Sequence, residues 1–148
     1  MNKNQNILII SVKPEYARKI LSGEKTIELR KSAPKKVGVN DFLFLYVTAP
    51  IMELWGVYKI ENIIKETPQR LWVNYGEKTG INKTEFTNYY TRCKNAYGIQ
   101  LKEVKNFSNL SIKLDDLKKV IPGFMPPQTY SYIKSEIINY KFLKDLIS

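Results

Sequence analysis

Lys25, Thr26, Glu28 and Arg30 fall within a single short run, Gly23-Glu24-Lys25-Thr26-Ile27-Glu28-Leu29-Arg30. An ammonium and a guanidinium suit phosphate or carbonyl oxygens, a carboxylate can take a proton, and a hydroxyl can donate a hydrogen bond. If the run is extended, its side chains alternate between two faces. Ile27 and Leu29 then enter the core, while Thr26, Glu28 and Arg30 share the opposite face. Lys25 stands at the strand entrance, where twist can turn it either way. Glu28 can pair with Arg30 and fix its geometry, leaving Lys25 and Thr26 for a ligand. A polar, solvated strand face would also explain the run.

Composition narrows the chemistry. The 148 residues contain no histidine, which removes histidine-dependent triads, histidine general acids and histidine metal ligands. Cys93 is the only cysteine, so the chain forms no internal disulfide and no cysteine-based zinc cluster. It lies between Arg92 and Lys94 with no base in view, and reads as an incidental thiol. The reading assigns no metal and no cofactor. Net charge is +10, from 24 basic and 14 acidic residues. The excess is spread along the chain, with 11 basic and 7 acidic groups in residues 1–66 and 13 and 7 in residues 67–148. A positive folded surface without a basic tail suits a polyanion or a phosphorylated ligand. No apolar run reaches the roughly 18–20 residues of a membrane helix, so no membrane partner is expected and the expected location is cytoplasmic. The sequence identifies no protein partner.

The elements that would position these residues can be read in order. Ile7–Val12 is a strand, and Pro14 opens a helix with Tyr16, Ala17, Ile20 and Leu21 on one face and Gly23 as its stop. Strands follow at 25–31, 41–48 and 54–64. Thr67-Pro68 caps the start of a further helix, and 83–90 is another short one. Residues 96–104 alternate as a strand. Residues 107–114 are mixed and can hold a short strand, 115–120 make a helical turn, and 133–147 fit a terminal amphipathic helix. Short strands with helices around them predict an α+β fold, a mixed β-barrel with peripheral helices. A single domain over 1–148 is expected.

Ser11-Val12-Lys13-Pro14, followed by Ile20-Leu21-Ser22-Gly23 and the opening run, resembles the signature of the ASCH domain family. The family motif Gly-x-Lys-x-x-Glu-x-Arg is filled at all four positions by Gly23, Lys25, Glu28 and Arg30. Leu45-Tyr46-Val47-Thr48-Ala49-Pro50 and Gly56-Val57-Tyr58 are similar to the family's next strands. The resemblance is clearest over 7–64; residues 65–148 would complete the barrel and add helices. It implies a PUA-like β-barrel and a role with RNA or a modified nucleoside held in a polar cleft. On that basis Lys13, Lys25, Thr26, Glu28 and Arg30 are the expected ligand contacts, with Tyr46 and Thr48 beside them.

One branch of the family hydrolyses an acylated cytidine amide with a lysine and a threonine on this strand. Lys25 matches the lysine, while Glu28 stands where the nucleophilic threonine would be. Ribonuclease activity is attributed to other members, and a histidine-free, metal-independent version would use Lys25 and Glu28.

Among the aromatic residues, Trp72, Tyr75, Tyr89, Tyr90 and Tyr130 could border a cleft and stack on bases. Gln128, beside Tyr130, could read a base edge. Three readings result: a module that binds RNA or a nucleotide, possible regulation included; a hydrolase of RNA or of a modified nucleoside; and a transcription-linked interaction protein acting through a flat basic surface.

Overall fold

The computed structural model describes residues 5–107 and 111–147. Two central strands set the architecture. In β1 (Asn6–Val12) and β3 (Phe42–Val47) nearly every residue is buried. Strands covered on both faces read as continuous apolar runs, and Ile7-Leu8-Ile9-Ile10 and Phe42-Leu43-Phe44-Leu45 are such runs. They pair in parallel, with Leu8 opposite Leu43 and Val12 opposite Val47. Alternation then sorts their side chains into two layers. Ile7, Ile9, Phe42, Phe44 and Tyr46 meet Leu117, Phe124 and Leu146 on one face. Leu8, Ile10, Val12, Leu43 and Leu45 meet Ala17 and Ile20 on the other.

The helix α1 (Pro14–Ser22) follows β1 directly, with Pro14 in its first turn. It ends at Gly23, whose φ of +85° is left-handed and whose N–H returns to the Ile20 carbonyl. The chain then enters β2 (Ile27–Arg30), which pairs antiparallel with β5 (Ala96–Asn106). The long β4 (Glu53–Glu66) lies between β3 and β5 and changes register within each pairing. Such irregularities bend a strand and sharpen its twist. The sheet runs β2-β5-β4-β3-β1-β7, with the two-residue β6 (Ile112–Lys113) beside β4. It forms a curled half-barrel with helices around it, the mixed α+β class expected.

The helices α2 (Pro68–Tyr75) and α3 (Lys83–Tyr89) pack near the β2 edge. Their starts are capped as their sequences imply, with Thr67 Oγ1 accepting from Arg70 N at 3.3 Å and Asn82 Oδ1 from Glu85 N at 2.8 Å. The helix α4 (Leu114–Val120) and the terminal α5 (Tyr140–Ile147) cover the outer layer.

One expected element is corrected. The terminal helix does not begin at 133: Tyr130–Lys134 is a strand, β7, antiparallel to β1. A 3-10 turn over Ser135–Ile137 follows, and α5 starts only at Tyr140. The N–H and C=O groups on the free edge of β1 supply partners that a helix beginning at 133 would leave without a ladder. Within the mixed 107–114 segment, residues 108–110 lie outside the described residues.

Candidate functional site

The β2 edge faces a concave cleft of about 300 Å³. One side comes from the β1–α1 corner, with Ser11, Lys13 and Tyr16. The other comes from the 81–89 segment, with Ile81, Glu85 and Tyr89. Lys25, Glu28 and Arg30 lie between them. This volume is at the small end of ligand sites, which run from about 300 to 1,000 Å³.

The three charged residues form a relay. Glu28 Oε2 accepts from Arg30 Nη2 at 2.7 Å, and Glu28 Oε1 stands 3.6 Å from Lys25 Nζ. Arg30 Nη2 also reaches the Ser11 carbonyl at 3.5 Å, tying β2 to β1. Lys25 is only 3% exposed, a rare state for a lysine unless it is paired. Its ammonium donates to the Thr79 carbonyl at 2.8 Å. Burial drives the Lys25 pKa below its ordinary value, and the Glu28 carboxylate partly restores it.

The loop before α3 explains how a lysine can be held there. Gly80 adopts φ +71°, and a Cβ on it would stand 2.8 Å from Lys25 Cβ. Glycine is therefore required both for the backbone and for its close approach to the lysine stem. Thr79 is fully buried, with Oγ1 donating to the Gly76 carbonyl at 2.7 Å. Lys19 Nζ donates to the Gly80 carbonyl at 2.6 Å, fastening the same loop to α1. None of Lys19, Thr79 or Gly80 was singled out in the sequence. Their contacts join segments more than 50 positions apart, and no local spacing encodes that.

The cleft's hydroxyls remain protonated donors at neutral pH. The Tyr16 pKa is raised by burial and by the nearby carboxylates of Glu15 and Glu85. Burial also raises Tyr89, against the opposing influence of Arg30. Tyr89 sits at the rim with Lys31 Nζ 4.9 Å from its ring centre. Behind it, Tyr90 is buried and donates its hydroxyl to the Arg30 carbonyl at 3.0 Å. Tyr90 thus braces the strand rather than offering a stacking face.

Several expected contacts lie elsewhere. Thr26 borders a second depression with Lys25, Tyr58 and Glu103, and it does not line the cleft that holds Glu28 and Arg30. Tyr46 belongs to the core, edge-on to Phe124 at 5.9 Å, because its side alternates with the inner layer. Thr48 ends β3, where its N–H bonds the Val12 carbonyl at 3.0 Å, and it does not line the cleft. Trp72 packs on Phe86 at 5.1 Å and leaves room only for glycine at Gly76, whose Cβ would stand 2.9 Å from the indole. Tyr130 packs edge-on to Tyr132 at 5.8 Å. Gln128 is exposed, between two residues whose carbonyls bond Ser11: Pro127 O accepts from Ser11 Oγ at 2.6 Å and Thr129 O from Ser11 N at 3.0 Å. Tyr75 packs against the cluster beneath α2. Cys93 is half-buried in the groove between α2 and α3. Among the described residues no three His, Cys, Asp or Glu side chains converge as metal ligands, and no helix is long and apolar enough to cross a membrane.

A curled mixed sheet, with a charged relay on the strand that follows the first helix, defines a PUA-like protein. Residues 10–108 match the ASCH domain, and the chain belongs to that family. It is 28% identical over 128 residues to a Zymomonas mobilis protein named ASCH domain-containing ribonuclease, spanning 86% of this chain and 84% of that one. The crystal structure of ASCH from Zymomonas mobilis is similar with a TM-score of 0.82 at 27% identity, covering 96% of each chain. A single-substitution variant of that protein matches over 100% of both chains, with a TM-score of 0.82 at 26% identity.

Proposed function

We propose that this chain binds single-stranded RNA in the β2 cleft and cleaves it by a route that needs no metal. The observation that carries the reading is the buried Lys25 ammonium on the cleft floor, beside a carboxylate that also holds Arg30. Its likeness to a relative named as a ribonuclease supports RNA as the substrate. Arg30 and Lys13 bind phosphate oxygens, Arg30 with its planar donor set and Lys13 as a point charge. The ribose 2′-oxygen attacks the adjacent phosphorus as the bond to the 5′-oxygen breaks. Lys25 supplies the proton that the departing 5′-oxygen takes up, and burial makes that ammonium more acidic than a solvated one. Solvent takes the 2′ proton. The products are a 2′,3′-cyclic phosphate and a 5′-hydroxyl. Glu28 positions Lys25 and Arg30 instead of accepting the proton, because both its oxygens face cations.

The amide-hydrolase reading is less well supported, since Glu28 occupies the place of that branch's nucleophilic threonine. The flat-surface reading is less well supported too, since the charged residues border a concavity. The test is incubation with a labelled single-stranded RNA in excess EDTA, followed by mass spectrometry of the fragments. Cyclic phosphate ends are expected. Tight retention of intact RNA would leave a binding module, and cleavage that stops in EDTA would overturn the metal-independent route.

A further inference from the structure

Glu85 is out of place in a cleft for a polyanion. Glu28, the cleft's other carboxylate, is neutralised by Arg30 and Lys25. Glu85 takes part in none of the ion pairs among the described residues. It is exposed on α3 and borders the cleft. Its position, three residues after Asn82, is that of a capping box, in which the carboxylate turns back to the N-cap N–H. Here the Glu85 N–H bonds Asn82 Oδ1, and the Asn82 N–H makes no bond to the Glu85 carboxylate among the described residues. Across the cleft the Tyr16 hydroxyl lies within polar reach of that carboxylate. A carboxylate with this neutral hydroxyl and no ion pair beside it repels phosphate, so what it favours is a ligand group that only donates.

We propose that Glu85 reads the base, so that the cleft prefers guanine and disfavours uracil. The inference rests on the RNA reading of the same cleft. An ionised carboxylate only accepts hydrogen bonds, and it has two oxygens. Guanine's Watson–Crick edge offers two adjacent donors, N1–H and the N2 amino group, which match them. Cytosine and adenine offer an amino group beside a ring-nitrogen acceptor. Uracil offers one N3–H flanked by two carbonyl oxygens, both repelled. Unstacked bases in single-stranded RNA are commonly read on this edge while stacking on an aromatic ring, and Tyr89 at the rim provides one. Phosphate then lies toward Lys13 and Arg30.

The test measures affinities of the intact chain for U6 hexamers and for the same hexamer with one central G, C or A, by fluorescence anisotropy in EDTA with 2′-fluoro ribose to block cleavage. Wild type should bind the G hexamer about tenfold or more tighter than U6. Glu85→Gln keeps the shape and adds a donor, so it should collapse that preference without weakening U6. Equal affinities in wild type, or a preference that survives Glu85→Gln, would overturn the inference while leaving the RNA reading in place. Wild type that binds no hexamer would overturn both. An equal loss of cleavage rate on all four unmodified hexamers, with affinities unchanged, would assign Glu85 to the chemistry and also overturn the base-reading role.

Discussion

Replacing Glu28 with Gln removes one charge from between two cations and keeps the side chain's shape. An ion pair at about 4 Å is worth about 4 kcal/mol at the effective dielectric of a protein surface. Glutamine still accepts from Arg30 and escapes the cost of burying a carboxylate, so the net destabilisation is about 2–4 kcal/mol at neutral pH. For a chain of this size that is a fall in Tm of about 5–15 °C.

The pH dependence gives a sharper test. The Lys25 pKa lies below its unfolded value near 10.5 because of burial, and Glu28 works against that shift. Between the two values the unfolded chain binds more protons, so Lys25's contribution to stability rises with pH across that window. Without Glu28 the native pKa falls further and the window widens downward. Neutral lysine has no need of a carboxylate, so the cost of Glu28→Gln should be smaller at pH 10 than at pH 7. Urea denaturation of both proteins at the two pH values measures it. A cost that is the same at both would refute the coupling between Glu28 and Lys25. A rate loss of about two to four orders of magnitude at unchanged Tm and unchanged affinity would instead make Glu28 a general base.

Gly80→Ala should lower stability by about 1–2 kcal/mol or more through backbone strain alone, and weaken RNA cleavage with it, because the new methyl collides with the Lys25 stem; thermal melts and turnover together check this. RNA affinity should fall with salt, with a log–log slope of about −0.7 per phosphate contacted, and Lys13→Ala should make that slope shallower by about 0.7. Tyr89→Ala should cost about 1–3 kcal/mol of RNA affinity by removing a stacking face, whereas Tyr89→Phe should retain most of it; anisotropy titrations distinguish them.

The charged relay was legible because its members share one short run, Lys25 just before β2 and Glu28 beside Arg30 on it by alternation. Thr26 lies just before β2, its N–H on the Lys78 carbonyl and its own carbonyl on the Leu101 N–H, and it borders a different depression from Glu28 and Arg30. The opposing wall was not legible. The Lys25–Thr79 contact, the Gly80 approach and the placing of Glu85 depend on how a loop and a short helix fold back on β2. The strand at 130–134 hid behind isoleucines whose spacing also fits a helix. Its own residues, Tyr130, Ser131, Tyr132 and Ile133, are largely aromatic or β-branched, and that composition was the available signal. Tyr46 shows the converse: a tyrosine on an apolar strand is more often core than site, and the alternation of β3 places it there.

The most direct test of the central claim is the single-turnover rate of RNA cleavage by Lys25→Met, which keeps the stem against Gly80 and removes the ammonium. The account predicts a loss of at least about two orders of magnitude relative to wild type in EDTA, with the fold intact by circular dichroism. A variant that folds and cleaves RNA at the wild-type rate would contradict it.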